Sequence, residues 1–279
     1  LAEDGDLRVA KVSSNPDDLT AVIQAGLNQL AGESGADIGA LLSRIDLVVH
    51  GTTIATNALI QGKLARTGML CTAGFRDILE LREGLKERRY DYIQPPPEPL
   101  VPRHLRLPIE ERINKDGAVL QSLNEDQVRA AAASFRGQDV EAVAVCLLWS
   151  IVNPVHEERI RDLLAEEMPS VPVFLSSVVS PQLREYPRFS TTALCAALAG
   201  RLRDYIGSLE ENLTAAGFTK AIRYIQCNGG TTSGAGLRER PVLALDSGPA
   251  AGPAAGRFFG RLFDIDNVIT LDMGGTSLD

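Results

Sequence analysis

The sequence is poor in aromatic residues, which make up 5% of 279 with a single tryptophan, and it holds only three histidines and four cysteines. Cys71, Cys146, Cys195 and Cys227 stand far apart and form no C-x-x-C pair. That spacing offers neither a zinc ribbon nor a disulfide framework. No H-E-x-x-H or comparable metal spacing occurs, and no G-x-x-x-x-G-K-[ST] phosphate loop. Apolar runs are interrupted well short of the ~20 residues that a membrane-spanning helix needs, and no secretory leader pattern opens the chain. An excess of basic charge is also lacking: 36 acidic residues face 28 basic ones, for a net charge of -8. Nucleic acid and anionic membrane surfaces are bound through basic faces, so this balance argues against both. A small phosphate ligand stays open, because a few backbone N–H groups and a metal suffice to hold one. A cytoplasmic protein with buried free thiols is the expectation.

What is present is ordinary globular material, 44% hydrophobic and 23% charged, enough for one large domain or two smaller ones. The chain opens on Leu1 in an acidic, turn-like stretch and closes at Asp279 beyond a glycine turn that should lead into another strand. A first hairpin strand is marginal without its partner, so part of a longer protein is expected.

Strands and helices alternate, which predicts α/β layers with mostly parallel pairing. Asn15-Pro16-Asp17-Asp18 reads as a helix start, and Leu19, Val22, Ile23, Leu27 and Leu30 share one helical face. Ile45 to Val49 reads as a strand, followed by a helix through Ile60 that Gly62 closes. Residues 94–108 carry six prolines and predict a linker, and a hairpin should turn at Asp116-Gly117. Val140 to Trp149 is a nearly unbroken apolar run, suited to a central parallel strand. A helix capped by Asn153-Pro154, a long helix over about 188–216, strand 222–227, a small-residue helix from Gly248 and strand Val268 to Leu271 complete the reading. His104 and His156, each alone among polar residues, read as surface groups.

Four segments can carry chemistry. In D-M-G-G-T-S (272–277) a strand delivers Asp272, which can hold a hydrated Mg²⁺. Gly274 and Gly275 then let the backbone wrap a phosphate beside the Thr276 and Ser277 hydroxyls. A plain hairpin turn fits the same residues. In H-G-T-T (50–53), His50 sits at a strand tip, Gly51 allows close approach, and Thr52 and Thr53 open a helix where an anion or carbonyl can sit. A threonine cap over a hydrogen-bonded histidine explains it equally. In Q-C-N-G-G (226–230), Asn228 can bond a substrate and Gly229 admit it, while Cys227 lacks any activating pattern. In S-G-P-A-A-G-P-A-A-G (247–256) the small face permits close packing against another element.

Together with G-F-R-D-I-L-E-L (74–81), N-P-V-H-E (153–157) and R-E-Y-P-R-F-S-T-T (184–192), these segments resemble the hydantoinase A/oxoprolinase family, in the family's order and over nearly the whole chain. The resemblance implies an actin/hexokinase/heat-shock-type ATPase fold with two RNase-H-like lobes. The expected division is a first lobe over 1–93, a Pro-rich linker and hairpin insertion over 94–123, an α/β continuation over 124–263 and the start of a second lobe over 264–279. It implies ATP and Mg²⁺ as cofactors, a cyclic amide or related carbonyl compound as substrate and a B-type subunit as partner. Phosphorylation of the carbonyl oxygen would make the ring carbon more electrophilic. On that reading Asp272 positions metal or water, Gly274, Gly275, Thr276 and Ser277 hold phosphate, and His50, Gly51, Thr52, Thr53, Asn228 and Gly229 face the cleft. The family's ketone carboxylase branch and a non-catalytic nucleotide-binding module are the alternatives. The family usually carries serine where Cys227 stands, and a thiol is the weaker hydrogen-bond donor.

Overall fold

A computed structural model of the chain describes residues 7–13, 19–84, 90, 91, 93, 95, 97–271 and 273. The first elements are α1 (Leu19–Glu33), α2 (Ile38–Arg44), β1 (Val48–His50), α3 (Ile54–Ile60), β2 (Thr67–Thr72) and α4 (Ile78–Leu81). There follow β3 (Arg106–Ile109), β4 (Arg112–Ile113), β5 (Val119–Gln121), α5 (Glu125–Arg136), β6 (Ala142–Cys146) and α6 (Val155–Glu167). The last are β7 (Val173–Leu175), α7 (Ser176–Val179), α8 (Glu185–Ala215), β8 (Ile222–Ile225), β9 (Thr231–Ser233), α9 (Gly234–Glu239) and α10 (Ser247–Leu262). They form two compact units, one of residues 1–53, 202–237 and 246–279, the other of residues 54–201 and 238–245.

The second unit is built on a four-stranded parallel sheet in the order β3-β2-β6-β7. Every residue of β6 is buried, as the unbroken A-V-A-V-C run requires of a strand covered on both faces. Asn124 caps α5, its side-chain oxygen accepting from Gln127 N at 3.2 Å. The Gln127 side chain accepts instead from Glu110 N at 2.8 Å, so the reciprocal half of a capping box is not made. The hairpin turns where the sequence indicates, with Gly117 at φ +82° between β4 and β5.

The proline-rich stretch holds a correction. Its last residues form β3, whose Pro108 stands opposite Cys71 of β2. β3 is an edge strand, and an edge needs ladder donors on one side only, so proline is tolerated.

The first unit carries a mixed sheet, β1-β8-β9, parallel between β1 and β8 and antiparallel between β8 and β9. The predicted helix start at 15–18 lies outside the described residues, and α1 runs on from Leu19. The strand expected from Ile45 begins at Val48, because Ile45 caps α2 with its N–H on Leu42 O. Val268–Leu271 is not a strand, since no described neighbour offers it a ladder. The chain instead runs back along α10. Gly248, Gly252, Gly256 and Gly260 fall every fourth residue on that helix and form a bare row. A Cβ on Gly260 would lie 2.7 Å from Ile265 O, one on Gly256 2.5 Å from Thr270 Cγ2, and one on Gly252 3.4 Å from Thr270 Oγ1. At Gly256 and Gly260 the returning chain therefore packs against the helix at a distance that only glycine permits, while at Gly252 the contact is an ordinary one.

Candidate active site

β1 carries His50 into the first unit, in register with Tyr224 of the parallel strand β8. The imidazole meets the Tyr224 ring edge-on, with centroids 6.0 Å apart. Tyr205 of α8 closes the other side, with Oη 2.7 Å from His50 Nε2. Burial pushes the His50 pKa down to about 4, so the ring is neutral at pH 7. Burial also raises the Tyr205 pKa, offset in part by a side-chain hydrogen bond from Thr52. A protonated phenol that accepts from Thr52 directs its own hydrogen to Nε2, which assigns the remaining ring proton of His50 to Nδ1.

The next residues are clamped. Ser247 Oγ donates to Thr52 O at 2.8 Å and accepts from Thr52 N at 3.4 Å, fixing the H-G-T-T loop to the first residue of α10. A Cβ on Gly248 would touch Thr53 Cγ2 at 3.4 Å. Thr52 and Thr53 are thus gathered at the positive end of a 16-residue helix, where hydroxyls and peptide N–H groups suit an anionic oxygen.

Asn228 and Gly229 form the tight turn between β8 and β9. Gly229 adopts φ +78°, and Asn228 Oδ1 accepts from Gly230 N at 2.9 Å. The side-chain oxygen thus shapes the turn, and only the amide NH₂ remains for any ligand. Gly229 lies beside Ala250 of α10, where an added Cβ would be 3.8 Å from the carbonyl oxygen. Three of the four sequence segments therefore meet around the start of α10, within one unit.

The fourth, D-M-G-G-T-S, lies outside the described residues at Asp272, Gly274, Gly275, Thr276 and Ser277. The chain leading to it runs from Ile265 beside Gly260 to Thr270 beside Gly252, toward the N-terminal end of α10. An open groove of about 330 Å³ lies here, lined by Pro249, Ala255, Phe259 and Leu271 among others. Among the described residues no group of three or more His, Cys, Asp or Glu side chains could hold a metal ion.

Two buried polar clusters in the second unit escaped the sequence reading. Glu157 Oε1 accepts from Leu147 N at 3.0 Å and Ser176 Oγ at 2.6 Å. Its Oε2 accepts from Ser177 N at 2.9 Å and Ser177 Oγ at 2.7 Å. Arg188 reaches the same place, donating to Ser176 Oγ, Leu147 O and Gln182 O. Desolvation raises the Glu157 pKa against the pull of those hydrogen bonds. His156 is not the surface residue expected: it is 7% exposed and its Nδ1 lies 2.8 Å from Glu111 Oε2. Glu111 also accepts from the Thr72 hydroxyl, which in turn accepts from Leu148 N. These groups lie at the carboxyl ends of β2, β3, β6 and β7, where open α/β sheets commonly bind ligands. Here they satisfy one another and close that edge with protein.

No described helix is long and apolar enough to cross a membrane. A mixed sheet in one unit and a parallel sheet in the other, each with its helices, define an α/β chain. Residues 1–168 match the hydantoinase/oxoprolinase N-terminal region and residues 188–279 match hydantoinase/oxoprolinase, and the chain belongs to that family. It is 44% identical to caprolactamase subunit alpha of Pseudomonas jessenii, over 99% of this chain and 40% of that protein. It is 33% identical to the acetophenone carboxylase gamma subunit of Aromatoleum aromaticum, over 100% of this chain and 40% of that one. The crystal structure of the ATP-dependent caprolactamase from Pseudomonas jessenii superposes with a TM-score of 0.88 at 43% identity, covering 100% of this chain and 41% of that one. The chain thus spans about 40% of the length of these relatives.

Proposed function

We propose that this chain is the front part of an ATP-dependent subunit that opens cyclic amides together with a B-type subunit, on an actin/hexokinase-type fold. The observation that carries the reading is the convergence of the H-G-T-T, N-G-G and S-G-P segments at the start of α10, in a chain 44% identical to a caprolactamase subunit. A lactam carbonyl is stabilised by resonance and resists water. ATP would supply the phosphoryl group that activates it, with Mg²⁺ to neutralise charge. The net change is hydrolysis of one ATP and replacement of the ring C–N bond by C–O and N–H bonds from water.

The residues divide that work. Thr53, at the positive end of α10, suits a phosphate or substrate oxygen, and Thr52, bonded through its side chain to Tyr205 and through its N–H to Ser247, holds the loop in place. The neutral His50–Tyr205 pair orients the loop that bears them. Asn228 NH₂ offers a donor to the substrate, and Gly229 allows close approach. Asp272 is assigned to metal or water, and Gly274, Gly275, Thr276 and Ser277 to phosphate, on family pattern alone. The division at residues 93, 123 and 263 belongs to the same proposal.

The test is ATP hydrolysis by the full-length subunit with its partner, screened against lactams, hydantoins and ketones with bicarbonate. Stimulation by a cyclic amide is expected. Stimulation only by a ketone with bicarbonate would move the protein to the carboxylase reading, which the acetophenone carboxylase relative supports.

A further inference from the structure

The second unit holds a groove of about 350 Å³ that takes no part in the site at the start of α10. Leu64, Leu100, Leu105 and Ala197 give it an apolar lining, and Arg66 and His104 bring polar groups to it. Thr67, also in its wall, opens β2, and Leu105 immediately precedes β3, so the groove sits at the amino ends of two parallel strands. Open α/β sheets bind their small ligands beyond the carboxyl ends, so this position suits recognition of another chain better than a reaction.

The frame of the groove is fixed while its cation is left over. Arg66 N donates to Glu141 Oε2 at 2.7 Å, and Arg66 O accepts from Glu141 N at 2.8 Å. Ala65 N donates to Ala197 O of α8 at 2.8 Å. The exposed Arg66 side chain makes no hydrogen bond or ion pair among the described residues, and neither does the His104 ring. The surrounding charge also runs against the balance of the chain, which is -8 overall. Residues 62–67 include Lys63 and no acid, and no acid falls between residues 99 and 109. Beside His104, Arg103 pairs with Asp77 at 3.0 Å, and Arg76 adds a further cation by donating to Arg103 O at 2.6 Å.

We propose that this groove docks an extended acidic segment of the B-type partner subunit, with a carboxylate on Arg66 and an apolar side chain between Leu64, Leu100 and Leu105. The inference rests on the two-subunit reading above and names the surface that it uses. A guanidinium offers a planar fork that a carboxylate can meet with two parallel bonds. Leucines beside that fork exclude water and strengthen the pair, the usual make-up of an interface anchor. Because the backbone under Arg66 is already pinned, little order is lost on this side when the segment binds.

The test uses the full-length subunit and its partner. A photo-crosslinking amino acid placed at Leu100, which is 37% exposed, should capture a partner peptide in which Asp or Glu adjoins an apolar residue. Arg66→Glu should raise the Kd of the complex about 30-fold or more, the scale of a like charge set against an interfacial acid. Its thermal melting as an isolated subunit should match the parent, since the Arg66 side chain has no internal partner to lose. Lysine in place of the captured acid should restore binding to the Arg66→Glu subunit. Capture of a peptide from the same subunit or from a second copy, capture of nothing, or an unchanged Kd overturns the inference and leaves the two-subunit reading standing. A parent subunit that forms no complex with a B-type chain overturns that reading and the inference with it.

Discussion

Tyr205 Oη and His50 Nε2 are 2.7 Å apart although 155 positions separate them in the chain. One comes from the 31-residue helix α8 and the other from the tip of a three-residue strand. The contact fixes which imidazole nitrogen bears the proton, and it ties that ring to the loop behind Thr52. In Tyr205→Phe the donor to Nε2 is lost while the ring volume stays. Nitrogen NMR of the His50 ring should show an Nδ1–H tautomer in the parent and a mixture in the variant. Substrate-stimulated ATP hydrolysis should fall about tenfold, the effect of about 1.4 kcal/mol, in line with one misplaced hydrogen bond. An unchanged tautomer would remove the basis for treating the two residues as a unit.

The low His50 pKa predicts a pH dependence with a definite sign. In the unfolded chain the ring titrates near 6.5, and in the folded one at about 4. Between those values the unfolded state binds more protons, so stability is full above about pH 6.5 and is lost as pH falls toward 4. The contribution of this one residue is about 3 kcal/mol. Thermal melting from pH 7.5 to 4 should therefore fall more steeply for the parent than for His50→Gln. Parallel curves would show that the half-buried imidazole is not the group responsible.

Glu157 presents a sharper substitution. Each of its oxygens accepts from one backbone N–H, Leu147 on one side and Ser177 on the other. In Glu157→Gln the amide NH₂ must face one of those donors, whichever way it turns. The serine hydroxyls can rotate to accept, but the backbone groups cannot. A loss of about 2–3 kcal/mol is expected in urea unfolding, with the denaturant slope unchanged. A loss below about 0.5 kcal/mol would mean that the carboxylate is not the hub it looks to be.

Gly68 of β2 lies flat on the Phe135 ring, and an added Cβ would come within 2.7 Å of Phe135 Cε1. Gly68→Ala should cost about 1–3 kcal/mol by overpacking. Phe135→Leu, damaging alone, should relieve part of that cost in the double variant. A double-mutant cycle with favourable coupling of about 1 kcal/mol or more is expected, and simple additivity would contradict the contact.

The features legible in the sequence were those set by near neighbours. The β6 run and the Gly117 turn both follow from residues a few places apart, because strand burial and left-handed turns are local devices. The features that escaped depend on distant partners. His156 reads as polar surface until Glu111, 45 positions earlier, is found against it. Pro108 reads as a linker residue until its strand is seen to lie at a sheet edge. In the candidate site, the glycine and threonine loops could be named from their chemistry. Their meeting could not, since the Ser247–Thr52 clamp spans 195 positions. Tyr205 gave no signal at all, being one more aromatic on a mostly apolar helix.

The glycine row of α10 makes that helix a guide rail. Its 16 residues extend about 24 Å. One end is bolted to Thr52 by Ser247, and the other hands the chain on through the Ile265 N–H, which donates to Gly260 O at 2.9 Å. Past that bond, Val268 and Thr270 lie against the bare faces of Gly256 and Gly260. A single methyl at Gly256 or Gly260 would act as a shim, shifting the chain just ahead of Asp272 without touching any residue assigned to chemistry.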